Sequence, residues 1–508
     1  MNALIPLYVI VPLGTAFLTL ILGRWLKDIG KYLIIPSMLF LLGLTLHYIL
    51  QASPTSVYRV GGFADVMGIP VAIYLVTDGL ASILLLIISL VGLMVALYSI
   101  NYTKQYSAEE KYYALLSLML AGMYGVVIAG DIFNLFVFLE IASIASYALV
   151  AFGIEKHQLE ATFKYQILGG VSSLIILMAI GFIYWTTGTL NLADIANQLP
   201  DVKPYQMFVS VLLIGGFGLK AAMVPFHSWL PDAHSSAPSP ISAMLSGVLI
   251  KAIGIYVIIR LFMNIFRINY EIALTITVLG TLSMIVGVFL AVGQWDFKRL
   301  LAYHSISQMG YVVLGIGIGM LVLATHGNEK VAMLSITGGL FHMLNHSIFK
   351  ALLFLNAGSI EYRTGTRNLR KLGGLNARMP ITSKSSFVAS MAISGIPPFN
   401  GFFSKVIIIL AAIQAGYYWL AFFAVVVSII TLASFTKVQK YAFQGEMPAG
   451  FDKVKESPFG MSLAMIILAV LCLAMSLLII PGVRAVFLQP AVEVLLQATQ
   501  YSTRVIGL

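Results

Sequence analysis

Runs of predominantly apolar residues, each about 20 residues long, recur along the whole of this chain. They fall near 3–23, 32–51, 76–98, 112–130, 132–153, 162–187, 206–226, 240–264, 270–293, 300–323, 332–356, 384–412, 417–438 and 460–482. A helix of that length rises about 30 Å, the hydrocarbon thickness of a bilayer, and lipid offers no partner to an unpaired backbone group. Each run therefore predicts a membrane-spanning helix, and the expected fold is an all-α polytopic membrane protein with about 14 spans. Charged residues make up 10% of the 508, against about 25% in soluble domains. The first run lacks a basic leader region and a small-residue cleavage site, so it is expected to be the first helix rather than a removed signal. The polar-interrupted tail, 483–508, is expected to lie along the surface.

The net charge of +10 does not mark a nucleic-acid binder, because the basic residues stand singly between apolar runs. It reads as membrane orientation. Counting charges at span ends with the adjoining connection, Lys and Arg number 19 after odd-numbered spans and 5 after even-numbered ones, which makes the odd connections cytoplasmic. Both termini then lie on the outer side of the cell membrane. The most basic connection carries Arg363, Arg367, Arg370, Lys371 and Arg378; it serves as an orientation signal or as a docking surface for a partner. The single cysteine, Cys472, excludes an intrachain disulfide, c-type haem attachment and a cysteine-ligated iron–sulfur cluster. No cofactor is expected, and the chain has no redox centre of that kind.

Two spans contain helix breakers. The seventh has Gly215, Gly216 and Gly218 before Lys220, with Pro225 after it; the twelfth has Gly395, Pro397, Pro398 and Gly401 before Lys405. Proline removes a backbone hydrogen bond, and the freed carbonyls need protein or water. Paired interrupted spans five helices apart are a signature of internal repeats with ion sites at the breaks; the alternative is a pair of packing kinks. The expected organisation is 1–110 (spans 1–3), 111–265 (first five-helix repeat), 266–440 (second, inverted because five is odd) and 441–508 (span 14 and tail).

Charges inside such spans are costly, about 3 kcal/mol each on insertion scales, and generally serve a function. Here they are Glu140, Lys220, Lys251, Lys350 and Lys405. Glu140 lies nine residues after Asp131, about 14 Å into its span. Lys220 and Lys251 are also central, whereas Lys350 is nearer a span end and is expected to snorkel toward the interface. His342, His346 and Lys350 share one helical face at i, i+4 and i+8. A His-x-x-x-His pair also suits a metal, but no acidic third ligand is near in sequence, and a hydrogen-bonded structural histidine is the other reading. Lysine suits a buried proton carrier because leaving water disfavours its charged form. A carboxylate at about 6 Å and an effective dielectric of 20 offsets this by roughly 2.8 kcal/mol. Movement of Glu140 relative to Lys220 is thus able to switch proton holding and release; a static ion pair is the alternative.

The stretch from Val224 through Pro225, His227, Trp229, Pro231, Asp232 and His234 to Pro240, continuing to Lys251, Tyr256 and Arg260, resembles the antiporter-like subunits shared by respiratory NADH:quinone oxidoreductase, membrane-bound hydrogenases and Mrp-type cation/proton antiporters. The block from His342 to Phe354 is similar to that family's span 11, and Ser394 to Lys405 to its span 12. The resemblance implies two linked half-channels joined by water along the membrane mid-plane. In it Glu140 and Lys220 form the control pair of the first, Lys251 relays toward the centre with His346, and Lys405 serves the second. His342, Lys350, His227, His234 and His304 are candidate auxiliary groups. The implied function is a proton-translocating membrane subunit of a multisubunit complex, of respiratory or hydrogenase type, with no redox centre of its own. The alternative is a Na+/H+ antiport module of an Mrp-type complex without redox function. Implied partners are other membrane subunits, the lipid bilayer, H+ and possible Na+.

Overall fold

The computed structural model describes residues 2–51, 55–63, 70–199, 202–266, 268–497 and 500–507. Helices α1 (Leu7–Leu22) and α2 (Ile29–Leu50) are followed by a hairpin, β1 (Thr55–Arg59) and β2 (Tyr74–Asp78), paired antiparallel with Thr55 opposite Asp78. Then come α3 (Gly79–Tyr102), α4 (Glu109–Ile128), α5 (Ile132–Val150), α6 (Lys156–Thr187), the short α7 (Leu192–Gln198), α8 (Lys203–Lys220) and α9 (Trp229–Ser236). The second half holds α10 (Ser239–Ile265), α11 (Tyr270–Val292), α12 (Phe297–Ala324), α13 (Glu329–Thr364), α14 (Pro380–Ser394), α15 (Asn400–Gln414), α16 (Tyr418–Phe443) and α17 (Phe459–Ile479). Three short helices close the chain: α18 (Pro481–Phe487), α19 (Gln489–Leu496) and α20 (Tyr501–Ile506).

Side-chain caps set many of the helix starts. Asp78, Asp131, Asp296 and Asn328 accept from the first-turn amides of α3, α5, α12 and α13, replacing bonds that a helix start lacks. Eleven helices among the described residues are long and apolar enough to cross a membrane. Of the helices outside that set, α8 holds Lys220, α13 the His342–His346–Lys350 face and α15 Lys405. Helices poorly matched to lipid therefore carry part of the site, while Glu140 and Lys251 stand on apolar helices of membrane length, α5 and α10. Protein covers the poorly matched helices instead: α13 is buried from Ser335 to Ile360, and α10 and α12 beside it are buried nearly throughout. Apolar side chains such as Phe17, Leu174, Trp185, Trp419 and Ile429 face outward, as lipid contact requires.

Three local expectations need correction. Gly215, Gly216 and Gly218 do not break the seventh span, because all are helical and the chain leaves the helix only after Lys220. Gly216 instead lets α6 approach, since a Cβ there would stand 2.6 Å from Ile176, and its carbonyl accepts from Ser172 at 2.7 Å. Residues 221–228 form the break, with Ala222 in the left-handed region at φ 53°. The amide of Val224 is satisfied there by Ser283 Oγ at 2.9 Å. Second, α13 runs to Thr364, well past the predicted end of its span, so Lys350 lies in its interior and is fully buried; it does not snorkel. Third, only α18 of the tail lies wholly at the surface. Helices α19 and α20 bury one face each, and Asn264 Nδ2 ties α10 to the carbonyl of Val494 at 2.8 Å.

The twelfth span breaks where expected. Gly395, with φ 77°, ends α14, and α15 restarts at Asn400. Only glycine fits at 401, because a Cβ would collide with the Ala392 carbonyl oxygen.

Candidate functional site

Glu140 and Lys220 meet. Lys220 Nζ donates to Glu140 Oε1 at 3.3 Å and to Ser143 Oγ at 3.1 Å, while Ser173 Oγ donates to the same carboxylate oxygen at 2.5 Å. The Lys220 side chain is 2% exposed and that of Glu140 28%. A charge-assisted pair at its tightest spans about 2.7–2.9 Å, so this contact is loose, and Ser173 holds the carboxylate more closely than the lysine does. Lys220 is the last residue of α8, where the negative end of the helix dipole favours a cation.

Lys251 is fully buried and its Nζ donates to its own helix, to the carbonyls of Ser246 and Gly247, each at 2.7 Å. These oxygens are accessible because α10 winds as π turns over Leu245–Leu249 and Lys251–Ile255, a widening that displaces the regular bonds and recurs at functional sites. Gly254 lies against Ala221, so the widened helix packs on the break that follows Lys220.

On α13, His342 bridges two neighbours, with Nδ1 3.0 Å from Ser404 Oγ and Nε2 3.2 Å from Gln308 Oε1. His346, one turn on, is fully buried with neither ring nitrogen hydrogen-bonded. Lys350 Nζ donates to the Leu301 carbonyl and lies 5.6 Å from the centre of the Phe354 ring. Lys405 Nζ donates to the Ile393 carbonyl at 2.7 Å and to Ser428 Oγ at 3.3 Å, and sits 4.8 Å from the Tyr311 ring centre.

Of the remaining histidines, His304 pairs with Ser434 Oγ at 2.8 Å. His227 lies in the break after Lys220, and His234 is fully buried on α9 with both ring nitrogens unpaired. No hydrogen bond among the described residues joins Lys220, Lys251, His346 and Lys405 to one another. They are separate stations, and the unpaired nitrogens between them need water to be satisfied. Among the described residues no three His, Cys, Asp or Glu side chains gather as a metal site.

Sequence reasoning missed the hydroxyls that hold these side chains: Ser143 and Ser173 at the Glu140–Lys220 pair, Ser428 at Lys405 and Ser404 at His342. Ser143 lies one turn from Glu140 and Ser404 directly precedes Lys405, which was the available signal. It also missed a buried ion pair: Arg260 clasps Asp78 through two bonds of 2.7 and 2.8 Å, with side chains 4% and 1% exposed. Tyr256 and Tyr501 flank the guanidinium at 5.4 and 5.3 Å.

A many-helix membrane bundle with buried lysines at broken helices, one of them against a carboxylate, defines a polytopic membrane protein with a polar, ionisable interior. The chain belongs to the NADH:quinone oxidoreductase/Mrp antiporter transmembrane family, whose model matches residues 129–431 and so takes in every intramembrane charge named above. It is 37% identical over 382 residues to the D-type subunit of the Na(+)/H(+) antiporter of Alkalihalophilus pseudofirmus, covering 74% of each chain. It is 34% identical to the N-type subunit of the NADH-quinone oxidoreductase of Desulforudis audaxviator, covering 77% of this chain and 76% of the relative. In structure it superposes on a chain of the Mrp complex from Dietzia sp. with a TM-score of 0.88 at 28% identity, covering 100% of this chain and 99% of that one.

Proposed function

We propose that this chain is a proton-translocating membrane subunit of a multisubunit complex, moving protons laterally from the Glu140–Lys220 pair through Lys251 and His346 to Lys405. The observation that carries this reading is the coordination of the lysines. Among the described residues, Glu140 is the one carboxylate bonded to any of the four intramembrane lysines; Lys251, Lys350 and Lys405 have only carbonyl, hydroxyl or aromatic neighbours. A permanent buried ammonium with neutral ligands is costly. A group that takes up and releases a proton does not hold that charge throughout.

In this reading the bundle has 14 spans, counting α8 with α9, α13, and α14 with α15 beside the eleven apolar ones. Residues 111–265 and 266–440 are two inverted five-helix repeats between an N-terminal unit, 1–110, and 441–508. Both lysine sites involve the carbonyl end of a half-helix, Lys220 as its last residue and Lys405 through the Ile393 oxygen, which supports the repeat. The asymmetry of basic connections supports insertion in the cytoplasmic membrane with both termini outside. Glu140 supports an assembly, since a carboxylate 28% exposed at mid-span is costly against lipid and a neighbouring subunit would cover it.

Glu140→Ala or Lys220→Ala in the assembled complex, reconstituted in vesicles, abolishes coupled proton movement while subunit assembly persists. Unchanged pumping in both variants defeats the proposal. A second reading, Na+/H+ exchange without redox chemistry, is favoured by the 37% identity to a chain of a Na(+)/H(+) antiporter. Sodium-for-proton exchange by the complex without an electron donor distinguishes it.

A further inference from the structure

The most basic connection, the one after α13, divides in the structure. Arg363 donates to the Glu456 carbonyl at 2.6 Å, and Arg367 pairs with Asp296 and Glu361 at 2.5 and 3.3 Å. Those two arginines fasten the connection to the bundle. Arg370 is exposed and reaches instead to the residues that follow α11, where its guanidinium carbon lies 4.2 Å from the centre of the Trp295 ring.

A second cation shares that ring. Lys437, near the end of α16, stands 4.9 Å from the same centre and donates to the carbonyls of Val292 and Gln294, each at 2.7 Å. Two of its three protons are engaged in this way and one is left. Trp295 packs edge-on against Tyr441 at 5.1 Å, and Lys440 Nζ lies 5.9 Å from the Tyr441 ring centre. Three cations therefore gather on two touching rings, and among the described residues no carboxylate bonds to any of the three. The acid nearest in sequence, Asp296, is committed to Arg367. A ring face attracts a cation without neutralising it, so the like charges repel here until an anion enters.

The position of the patch selects the anion. Trp295 and Tyr441 stand at the ends of α11 and α16, where amphipathic rings mark the headgroup level of a bilayer. Further into the same two helices Phe289 and Ile429 are 60% and 62% exposed, an apolar surface suited to acyl chains. An acidic protein surface would satisfy the cations but has no use for those side chains.

We propose that Arg370, Lys437 and Lys440, with Trp295 and Tyr441, form a binding site for an anionic phospholipid of the adjoining leaflet. The cations hold its phosphodiester, as basic pockets between membrane helices do, and the outward faces of α11 and α16 take its chains. Bound lipid offsets the repulsion between Arg370 and Lys437 and so clamps the connection after α13 to the ends of α11 and α16. The site is independent of the proton path, and its test reads lipid rather than flux.

The complex is placed in phosphatidylcholine nanodiscs carrying a trace of photoactivatable phosphatidylglycerol or of photoactivatable phosphatidylcholine, and labelled peptides are identified by mass spectrometry. The phosphatidylglycerol probe is expected to label the segments around Trp295 and Tyr441 well above the phosphatidylcholine probe, and added salt to shrink that excess. Arg370→Gln combined with Lys440→Gln leaves the Lys437 bonds in place and is expected to lower the excess by roughly tenfold or more; unchanged labelling elsewhere on the chain shows that the variant is folded. Equal labelling by the two probes in the native complex overturns the proposal, as does a native excess in the double variant. Absence of any lipid label at these segments overturns it too and assigns the patch to the acidic surface of a partner subunit.

Discussion

Lys405 Nζ donates to the carbonyl of Ile393 at 2.7 Å, reaching from the first turns of α15 back across the break to the end of α14. The lysine thus occupies the carbonyl end of a helix it does not belong to. Ser428 completes the arrangement by donating to the neighbouring Ser394 carbonyl at 2.8 Å. In the proposed function one side chain is both cap and proton carrier, and substitution separates the roles.

Lys405→Arg preserves a cationic donor over the α14 carbonyls, but guanidinium does not deprotonate in proteins. The variant is expected to assemble normally and to translocate protons at under about a tenth of the native rate. Lys405→Met removes the cap as well, leaving buried carbonyls short of a donor at a cost of about 1–3 kcal/mol. Comparing proton flux in vesicles with the thermal midpoint of the complex resolves the two effects; equal flux in native and arginine forms refutes the carrier role.

Ser173 holds Glu140 more closely than Lys220 does, at 2.5 against 3.3 Å. A hydrogen bond to a charged group is worth about 1.5–3 kcal/mol. Ser173→Ala is therefore expected to upset the poise of the pair and to lower proton flux by roughly tenfold or more, with little loss of folded protein. Flux measured at matched protein content checks this, and a native rate shows that the hydroxyl is a bystander.

Eleven of the spans were legible because lipid permits so few backbone solutions that an apolar run of 20 residues has essentially one reading. The breaks were half legible. Proline at 225, 397 and 398 marked them, but glycine is ambiguous, since Gly216 serves close packing against Ile176 and Gly395 ends a helix. Lys350 was misplaced because the apolar run stops before the helix does; the polar turns to Thr364 continue it. The buried charges named themselves, and their hydroxyl ligands did not, because serine in a membrane helix commonly bonds its own preceding turn, as Ser347 does. Asp78 and Arg260 are 182 residues apart, and no local pattern links them.

Gly401 and Gly215 make a matched contrast. Alanine at 401 drives its methyl group into the Ala392 carbonyl, whereas nothing lies within 4 Å of a Cβ at 215. Gly401→Ala is expected to cost about 1–3 kcal/mol by overpacking and to force the halves of the broken helix apart, reducing both assembly and flux. Gly215→Ala should leave both near native. Detergent-solubilised thermal unfolding of the two variants side by side tests the assignment.

The Arg260–Asp78 pair joins the hairpin end and the start of α3 to α10, with α20 closing over it through Tyr501. Removing one member of a buried pair strands the other charge, at about 3–5 kcal/mol. Asp78→Ala is accordingly expected to destabilise far more than Asp78→Ala combined with Arg260→Met, which removes both charges and keeps an apolar stem. Arg260→Lys keeps the charge but loses the two-pronged contact and should fall between them. The order of the three thermal midpoints, double variant above lysine above single alanine, is the measurable outcome. If the double variant is no more stable than Asp78→Ala, the destabilisation comes from lost packing between α3, α10 and α20 and not from a stranded guanidinium.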